Sequence, residues 1–273
     1  MGQARSSQRY RETILSDEHH LVAEIHRLAM AWPRYGYRRI AALLRREGWR
    51  VNVKRVHRLW KIAGLQIRTK ARKRRRMGNG TNACHRHRPL GKDHVWSYDF
   101  VSDRTERGGR LRMLTVVDEY TRECLTVEVR RHFTGPDVVR TLDELFMIRG
   151  RPRCIRSDNG PEFASKAVKT WLRTSGVKTL FVEPGSPWEN GYIESFNGKL
   201  RDECLNGELL LNLAEARYVV DRWRMDYNHY RPHSRLDWMT PAAYAASCPG
   251  MGRPCGPPGS AAPTPAAHTA RVT

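Results

Sequence analysis

Between residues 68 and 76 the chain carries seven basic side chains, Arg68, Lys70, Arg72, Lys73, Arg74, Arg75 and Arg76, and no acidic one. Packed into a core they would repel one another and lose their hydration, so no single core can run through this stretch. Gly78, Asn79 and Gly80 follow and add flexibility. A basic linker is therefore expected over residues 68–92, with the 273-residue chain folding on either side of it. The charge divides at the same place. Residues 1–92 hold 24 Lys and Arg against 5 Asp and Glu, and residues 93–273 hold 25 against 23, so almost all of the net +21 lies in the first third. Such an asymmetry points to a polyanion, most often nucleic acid. Within the linker, Arg72, Lys73, Arg74 and Arg75 suit phosphate neutralisation that reads no sequence. A membrane-surface patch fits less well, because no strongly amphipathic helix with bulky apolar residues accompanies the run. A nuclear-localisation signal is a weaker pattern still. No apolar run approaches the roughly 18 residues of a membrane span and no apolar segment follows Met1, so no membrane partner is expected and the expected compartment is the cytoplasm.

Residues 1–67 read as three short helices. Asp17 is placed to cap the first, Leu21, Ile25 and Leu28 form its apolar stripe, and Pro33 ends it. Ile40, Leu43 and Leu44 mark a second, closed by Gly48. Asn52 can cap a third, with Val53, Val56, Trp60 and Ala63 inward. Its other side carries Lys54, Arg58 and Lys61, with Arg55 and His57 nearby. Three helices with a glycine-marked turn and a basic last helix suit a helix-turn-helix DNA-binding unit. Lys54, Arg55, Arg58 and Lys61 are then the groove-facing candidates. A small helical bundle with a solvated basic face is the competing reading.

Past residue 93 the pattern changes. Strands are expected at 94–101, 111–117 and 124–129, joined by short turns as an antiparallel meander. A helix at 135–148, a strand at 153–157, a helix from Pro161 to about 175 and a strand at 177–182 follow. Ile193, Phe196 and Leu200 then recur at helical spacing, and a further helix runs from 213 to about 227. The segments 227–233 and 239–241 read as less regular. This order predicts an α/β fold, a mixed five-stranded sheet flanked by helices, over residues 93–246. The tail, 247–273, is rich in Pro, Gly and Ala and is expected to be disordered. The six cysteines show no C-x-x-C spacing, and Cys84-His-Arg-His87 lacks a second half of a zinc site, so the cysteines are expected to be reduced.

Three carboxylates stand out. Asp99 lies within an apolar strand, where an acidic side chain is costly unless it is paired or bound to metal. Asp158 sits where a strand runs out into Asn159-Gly160. Glu194 lies on the helix that follows the Pro184-Gly-Ser-Pro187 turn, in a polar stripe with Asn197 and Arg201. If the first and fourth strands are neighbours, Asp99 and Asp158 converge, and the later helix can bring Glu194 to them. Carboxylates without Cys or His favour Mg²⁺ or Mn²⁺ over zinc. Two such ions roughly 4 Å apart stabilise the attacking and leaving oxygens of a phosphodiester displacement. Arg201 could hold a phosphate nearby. Each acid alone has a plainer reading: Asp158 as an Asx turn, Glu194 as a surface partner of Arg201. Asp118, at the end of the second strand, and Asp103 are the rivals to Asp99.

Trp96-Ser-Tyr-Asp99, Ser157-Asp-Asn-Gly-Pro-Glu-Phe163 and Asn190-Gly-Tyr-Ile-Glu-Ser-Phe-Asn197 together resemble the DDE transposases with an integrase-type catalytic core. The 35 residues between Asp158 and Glu194 match that family's signature spacing, and Arg201 matches its basic residue seven places after the glutamate. Tyr227-Asn-x-x-Arg-Pro-His233 and Thr240-Pro241 are similar to its C-terminal segment. Tyr37-Arg-Arg-Ile40 with Val56-His-Arg-Leu59 resembles the helix-turn-helix of the IS-three family of bacterial insertion sequences. The resemblance spans about residues 20–246. It implies an RNase H-like fold, with Asp99, Asp158 and Glu194 as catalytic and metal-binding residues. It also implies cleavage at element ends by water and joining of a 3′-hydroxyl to target DNA, with no covalent enzyme intermediate. The chain resembles the second-frame product of such an element. A first-frame protein, as partner or fusion, and a homo-oligomer on double-stranded DNA are therefore expected, in a bacterial cytoplasm and on its nucleoid.

Two other functions compete with this one. A catalytically silent DNA-binding regulator from an incomplete element would bind element ends without cutting. A ribonuclease acting on RNA–DNA hybrids would share fold and metals, but the helix-turn-helix makes duplex DNA the better substrate.

Overall fold

In the computed structural model, residues 16–66, 88–157, 165–181 and 190–249 are described, and the chain divides into the units Met1–Arg76 and Met77–Thr273. The linker arginines and lysine at 72–75, Asp158 and the tail beyond residue 249 lie outside the described residues.

The first unit holds α1 (Glu18–Ala31), α2 (Tyr37–Arg46) and α3 (Val53–Ile62). Leu21, Ile25 and Leu28 of α1 are fully buried together with Ile40, Leu43, Leu44, Val56 and Trp60. Gly48, at φ +93°, takes the left-handed turn after α2 that a side chain would strain. Asn52 caps α3 as expected, its side chain accepting the Lys54 N–H at 2.9 Å. Asp17 does not cap α1 in the expected way. Its carboxylate turns instead to Arg55 on α3, with Nη2 to Oδ1 at 2.6 Å and Nη1 to Oδ2 at 3.1 Å. A two-pronged charged bond outweighs one backbone N–H, and these bonds hold the Asp17 carboxyl below its usual range.

The second unit is built on β1 (Val95–Arg104), β2 (Arg110–Asp118), β3 (Cys124–Arg130), β4 (Cys154–Ser157) and β5 (Lys178–Phe181), in the order β3-β2-β1-β4-β5. β1, β2 and β3 pair antiparallel, and β4 joins β1 and β5 in parallel. The first and fourth strands are thus neighbours, as the convergence of two aspartates requires. α4 (Gly135–Arg149) and α5 (Lys166–Thr174) cover one face, over Trp96, Tyr98, Leu114, Val116 and Ile155. α5 begins later than the proline at 161 suggested, because Ser165 supplies its cap through the Val168 N–H.

The other face carries Val101, Leu111, Met113, Val117, Val127 and Val129. Against it lie α6 (Gly191–Leu200), a wide π-type turn (Arg201–Leu205) and α7 (Leu213–His229). The stripe Ile193, Phe196 and Leu200 is buried to within 2%. At about 1.5–3 kcal/mol for each such side chain, it suffices to set the rotation of α6 on the sheet.

The segment 227–233 is more ordered than expected. Asn228 closes the start of β3 with two bonds of 2.8 Å to the Cys124 backbone. Arg231, 2% exposed, grips Glu203 of the π-type turn through bonds of 2.7 and 2.5 Å. Thr240-Pro241, read as irregular, instead starts a helix, α8 (Pro241–Ser247). Thr240 caps it and proline fits its first position. Cys124, Cys154 and Cys204 are free and buried, as expected of reduced thiols. Cys248 is disulfide-bonded, which corrects that expectation at one position; its partner lies outside the described residues. Among the described residues, no helix is long and apolar enough to cross a membrane.

Candidate catalytic carboxylate site

Asp99 stands in the middle of β1, and strand alternation gives it the face of Ser97 and Val101, under α6 and α7. It is half-buried. Its Oδ1 accepts the Phe100 N–H at 2.7 Å and its Oδ2 accepts Asn197 Nδ2 at 2.8 Å. The Asn197 carbonyl oxygen lies 3.0 Å from the Thr115 hydroxyl, and Thr115 is the residue opposite Asp99 on β2. That hydroxyl is also 3.0 Å from the Asp99 main-chain oxygen, and its one proton serves one acceptor at a time. Because a carboxylate only accepts, Asp99 fixes which end of the Asn197 amide faces it.

Glu194 lies three residues before Asn197 on α6, so the two share a side of the helix. Asn197 is buried on Asp99, while Glu194 is exposed. The apolar stripe that anchors α6 thereby brings the polar stripe of Glu194 to the Asp99 end of the sheet. β4, which ends at Ser157, lies beside β1. Asp158, next in the chain, is outside the described residues. Asp99 and Glu194 are hard oxygen donors, suited to Mg²⁺ or Mn²⁺. Among the described residues no three His, Cys, Asp or Glu side chains form a complete metal cage.

The rivals of Asp99 have other tasks. Asp118 is wholly buried. Its Oδ1 accepts N–H groups of Tyr120 and Thr121 at 2.7 and 3.1 Å, and its Oδ2 that of Asp93 at 2.7 Å. Burial pushes its carboxyl up to about 7 in spite of these three donors. Asp103 accepts the Arg104 N–H at 2.8 Å, farther along β1.

Among the DNA-contact candidates, Lys54 and Lys61 are exposed on α3, with His57 between them. Arg55 and Arg58 are turned to the start of α1: Arg55 to Asp17, and Arg58 to Glu18 at 2.8 Å. Helical periodicity places all four near one side, but the long arginines reach back across the unit to the nearest acids. Arg201 is exposed, with Nη2 donating to the Ser102 carbonyl at 3.0 Å. The bond from Asn197 to Asp99 went unrecognised in the sequence. The one available signal was its place in the stripe with Glu194 and Arg201.

Comparison with known proteins identifies the two domains and the fold. Residues 89–187 and 175–241 match models of the integrase core domain, and residues 16–75 match an HTH-like domain. The chain is 44% identical over 226 residues to the "Insertion element IS407 uncharacterized 31.7 kDa protein" of Burkholderia multivorans, covering 83% of this chain and 80% of that protein. It is 24% identical to "Transposase InsF for insertion sequence IS3A" of Escherichia coli, over 88% of this chain and 78% of that one. Among solved structures, a chain of a simian T-cell lymphotropic virus intasome, in complex with PP2A regulatory subunit B56 gamma, shares the fold. Its TM-score is 0.55 at 17% identity, covering 88% of this chain and 79% of that chain.

Proposed function

The chain belongs to the IS-three family of insertion-sequence transposases, and we propose that it cleaves DNA at the ends of its element and joins the 3′-hydroxyl to target DNA. The observation that carries this reading is the Asn197 amide on the Asp99 carboxylate, which fastens the helix bearing Glu194 to the strand bearing Asp99. β4, which ends at Ser157, lies beside β1 with Arg156 paired to Ser97, and Asp158 is the next residue in the chain. Asp158 is proposed as the third carboxylate of the set, on its 35-residue spacing from Glu194. Bound there, a divalent cation, Mg²⁺ or Mn²⁺ and two ions in this reading, would supply charge stabilisation to the attacking and leaving oxygens.

The chain's own residues do the rest. Asn197 holds the Asp99 oxygens in one orientation, and Glu194 remains open to solvent to meet substrate and metal. Arg201, on the far side of the same stripe, is proposed to hold a phosphate. The unit 1–67 is proposed to grip double-stranded DNA through Lys54 and Lys61 first, the linker 68–92 to neutralise phosphates through Arg72, Lys73, Arg74 and Arg75, and the unit 93–246 to carry the chemistry. Arg55 and Arg58 reach phosphates in this scheme only on leaving Asp17 and Glu18. A first-frame partner protein and a homo-oligomer on the two element ends complete the proposal.

The test is direct. Purified chain with element-end duplex and Mg²⁺ should nick and join strands, and Asp158→Asn should abolish both. Undiminished activity in that variant overturns the mechanism. Tight end binding without any divalent-dependent cut would favour the silent regulator, and preference for an RNA–DNA hybrid would favour a ribonuclease.

A further inference from the structure

The turn between β2 and β3 touches β1, β4 and α6, each time two positions in sequence before one of the proposed carboxylates. Glu119, wholly buried, accepts the Ser97 hydroxyl on β1, two residues before Asp99. The same carboxylate pairs with Arg156 Nε on β4 at 3.0 Å, two residues before Asp158. Arg122 lays its guanidinium over the ring of Tyr192 on α6, 3.8 Å from the centroid, two residues before Glu194. The turn itself is held firmly. The Glu119 N–H donates to the Val95 carbonyl at 3.0 Å, the Arg122 N–H to the Asp118 carbonyl at 2.9 Å, and the buried Asp118 side chain takes three further N–H groups.

Two features of this turn are costly in structural terms. Ser97, Glu119 and Arg156 are 0%, 0% and 3% exposed, and an ion pair that deep gives up most of its hydration. Arg122 stands at φ +65°, where glycine or asparagine is the ordinary occupant and a long side chain is strained unless its surroundings hold it. A hairpin between two strands needs neither. An arginine in that conformation can aim its guanidinium at α6, which a glycine could not.

We propose that Glu119 and Arg122 are positioning residues for the transposase reaction, through which one turn sets the spacing of β1, β4 and α6. On β1, positions 97 and 99 share a face, so holding Ser97 on the Glu119 carboxylate holds the strand that presents Asp99, and holding Arg156 on the same carboxylate ties β4 to β1. On α6, stacking at Tyr192 holds the first turn of the helix, in which Glu194 lies. The inference rests on the catalytic reading of Asp99, Asp158 and Glu194, and one control separates the two.

The experiment compares the full chain with Tyr192→Leu, Tyr192→Phe, Glu119→Gln and, as control, Asp99→Asn. Three quantities are read: the single-turnover rate of element-end cleavage in Mg²⁺, the affinity for Mn²⁺ from loss of the free-ion EPR signal, and the affinity for element-end duplex by gel shift. Tyr192→Leu and Glu119→Gln should each lower the cleavage rate and weaken Mn²⁺ binding by about 10- to 100-fold, the range of losses when groups behind metal ligands are removed. Duplex affinity should be unchanged. Tyr192→Phe keeps the ring under Arg122 and should restore both rate and Mn²⁺ affinity, an outcome that a role for the hydroxyl would not give. The proposal is overturned if Tyr192→Leu keeps the full rate and Mn²⁺ affinity while Asp99→Asn is inactive, or if Tyr192→Phe is as impaired as Tyr192→Leu. An active Asp99→Asn sinks the catalytic reading itself. Glu119→Gln removes the negative charge of a buried ion pair; should that variant not fold, the two Tyr192 variants decide alone.

Discussion

The two ends of one helical segment treat carboxylates in opposite ways. At its C-terminal end, Glu203 is sealed under Arg231, and His233 adds a contact of 3.3 Å from Nε2 to the guanidinium. A full positive charge meets a full negative one, and both are buried. At its N-terminal end the Asp99 carboxylate receives the Phe100 N–H and the Asn197 amide, which are neutral donors, and Glu194 lies exposed one turn away. A guanidinium offsets a carboxylate's charge, whereas an amide orients a carboxylate without adding a counter-charge. The first arrangement holds the fold, and the second suits a cation and a phosphodiester.

The hardest test of this contrast is to exchange charge for shape at each end. Glu194→Gln should lower strand cleavage by at least about 10³-fold, as expected when a catalytic group acting in a set is removed. It should leave thermal stability within about 0.5 kcal/mol, because the side chain is exposed. Glu203→Gln should do the reverse. Removing one member of a buried pair leaves the other uncompensated and costs about 3–5 kcal/mol, read as a lower urea midpoint. Replacing both at once, Glu203→Leu with Arg231→Met, should recover most of that loss. If Glu194→Gln unfolds the protein while Glu203→Gln leaves it stable, the division between the two ends is wrong.

Asp118 offers a third arrangement, neutral donors combined with full burial, and it shows why exposure matters. Its three N–H donors favour the ionised form, yet burial still pushes the carboxyl up to about 7 from an ordinary value of 3.8. The folded state therefore binds this proton more tightly than the unfolded chain. The stability it contributes is complete below pH 3.8 and is lost as pH rises toward 7, at up to about 1.4 kcal/mol per pH unit within that window. In Asp118→Asn the amide nitrogen faces the Asp93 N–H, a fixed cost at every pH. The pH slope of the difference from wild type between pH 4 and 7 isolates the carboxyl. A flat difference in urea unfolding across that range would show that the three donors outweigh burial.

Much of this was readable before any coordinates. The alternation of strands and helices, the Asn52 cap and the stripe Ile193, Phe196 and Leu200 follow from period and turn chemistry, which act locally, whereas the adjacency of the first and fourth strands entered only as a condition and comes from the fold. What could not be read depends on groups distant in the chain. Asp17 has a helix start beside it and was assigned to that. Its actual partner, Arg55, is 38 residues away, and nothing in the spacing announces it. Thr240-Pro241 was passed over because a helix as short as α8 leaves too few positions to show a period. The bond from Asn197 to Asp99 spans 98 residues. It could be inferred only once the rotation of α6 on the sheet was known, although its apolar stripe was already visible.

That bond also yields the finest test of the contrast between the two ends. Asn197→Ala removes a neutral donor from Asp99 and, unlike Glu203→Gln, leaves no buried charge behind. It does leave the Thr115 hydroxyl without one acceptor, but the Asp99 main-chain oxygen lies at the same 3.0 Å and can take the proton. The expected loss is therefore functional more than structural. Activity should fall by about 10- to 100-fold, as when an orienting group behind a metal ligand is removed, with a melting temperature close to wild type. Asn197→Asp provides the opposite sign: it sets a second carboxylate against Asp99 in place of a donor, and the two repel. In Mg²⁺ titrations that variant should require less metal than Asn197→Ala for half-maximal cleavage, because a bound cation relieves that repulsion. If Asn197→Ala cleaves at the full rate, the amide serves packing alone and does not set the orientation of Asp99.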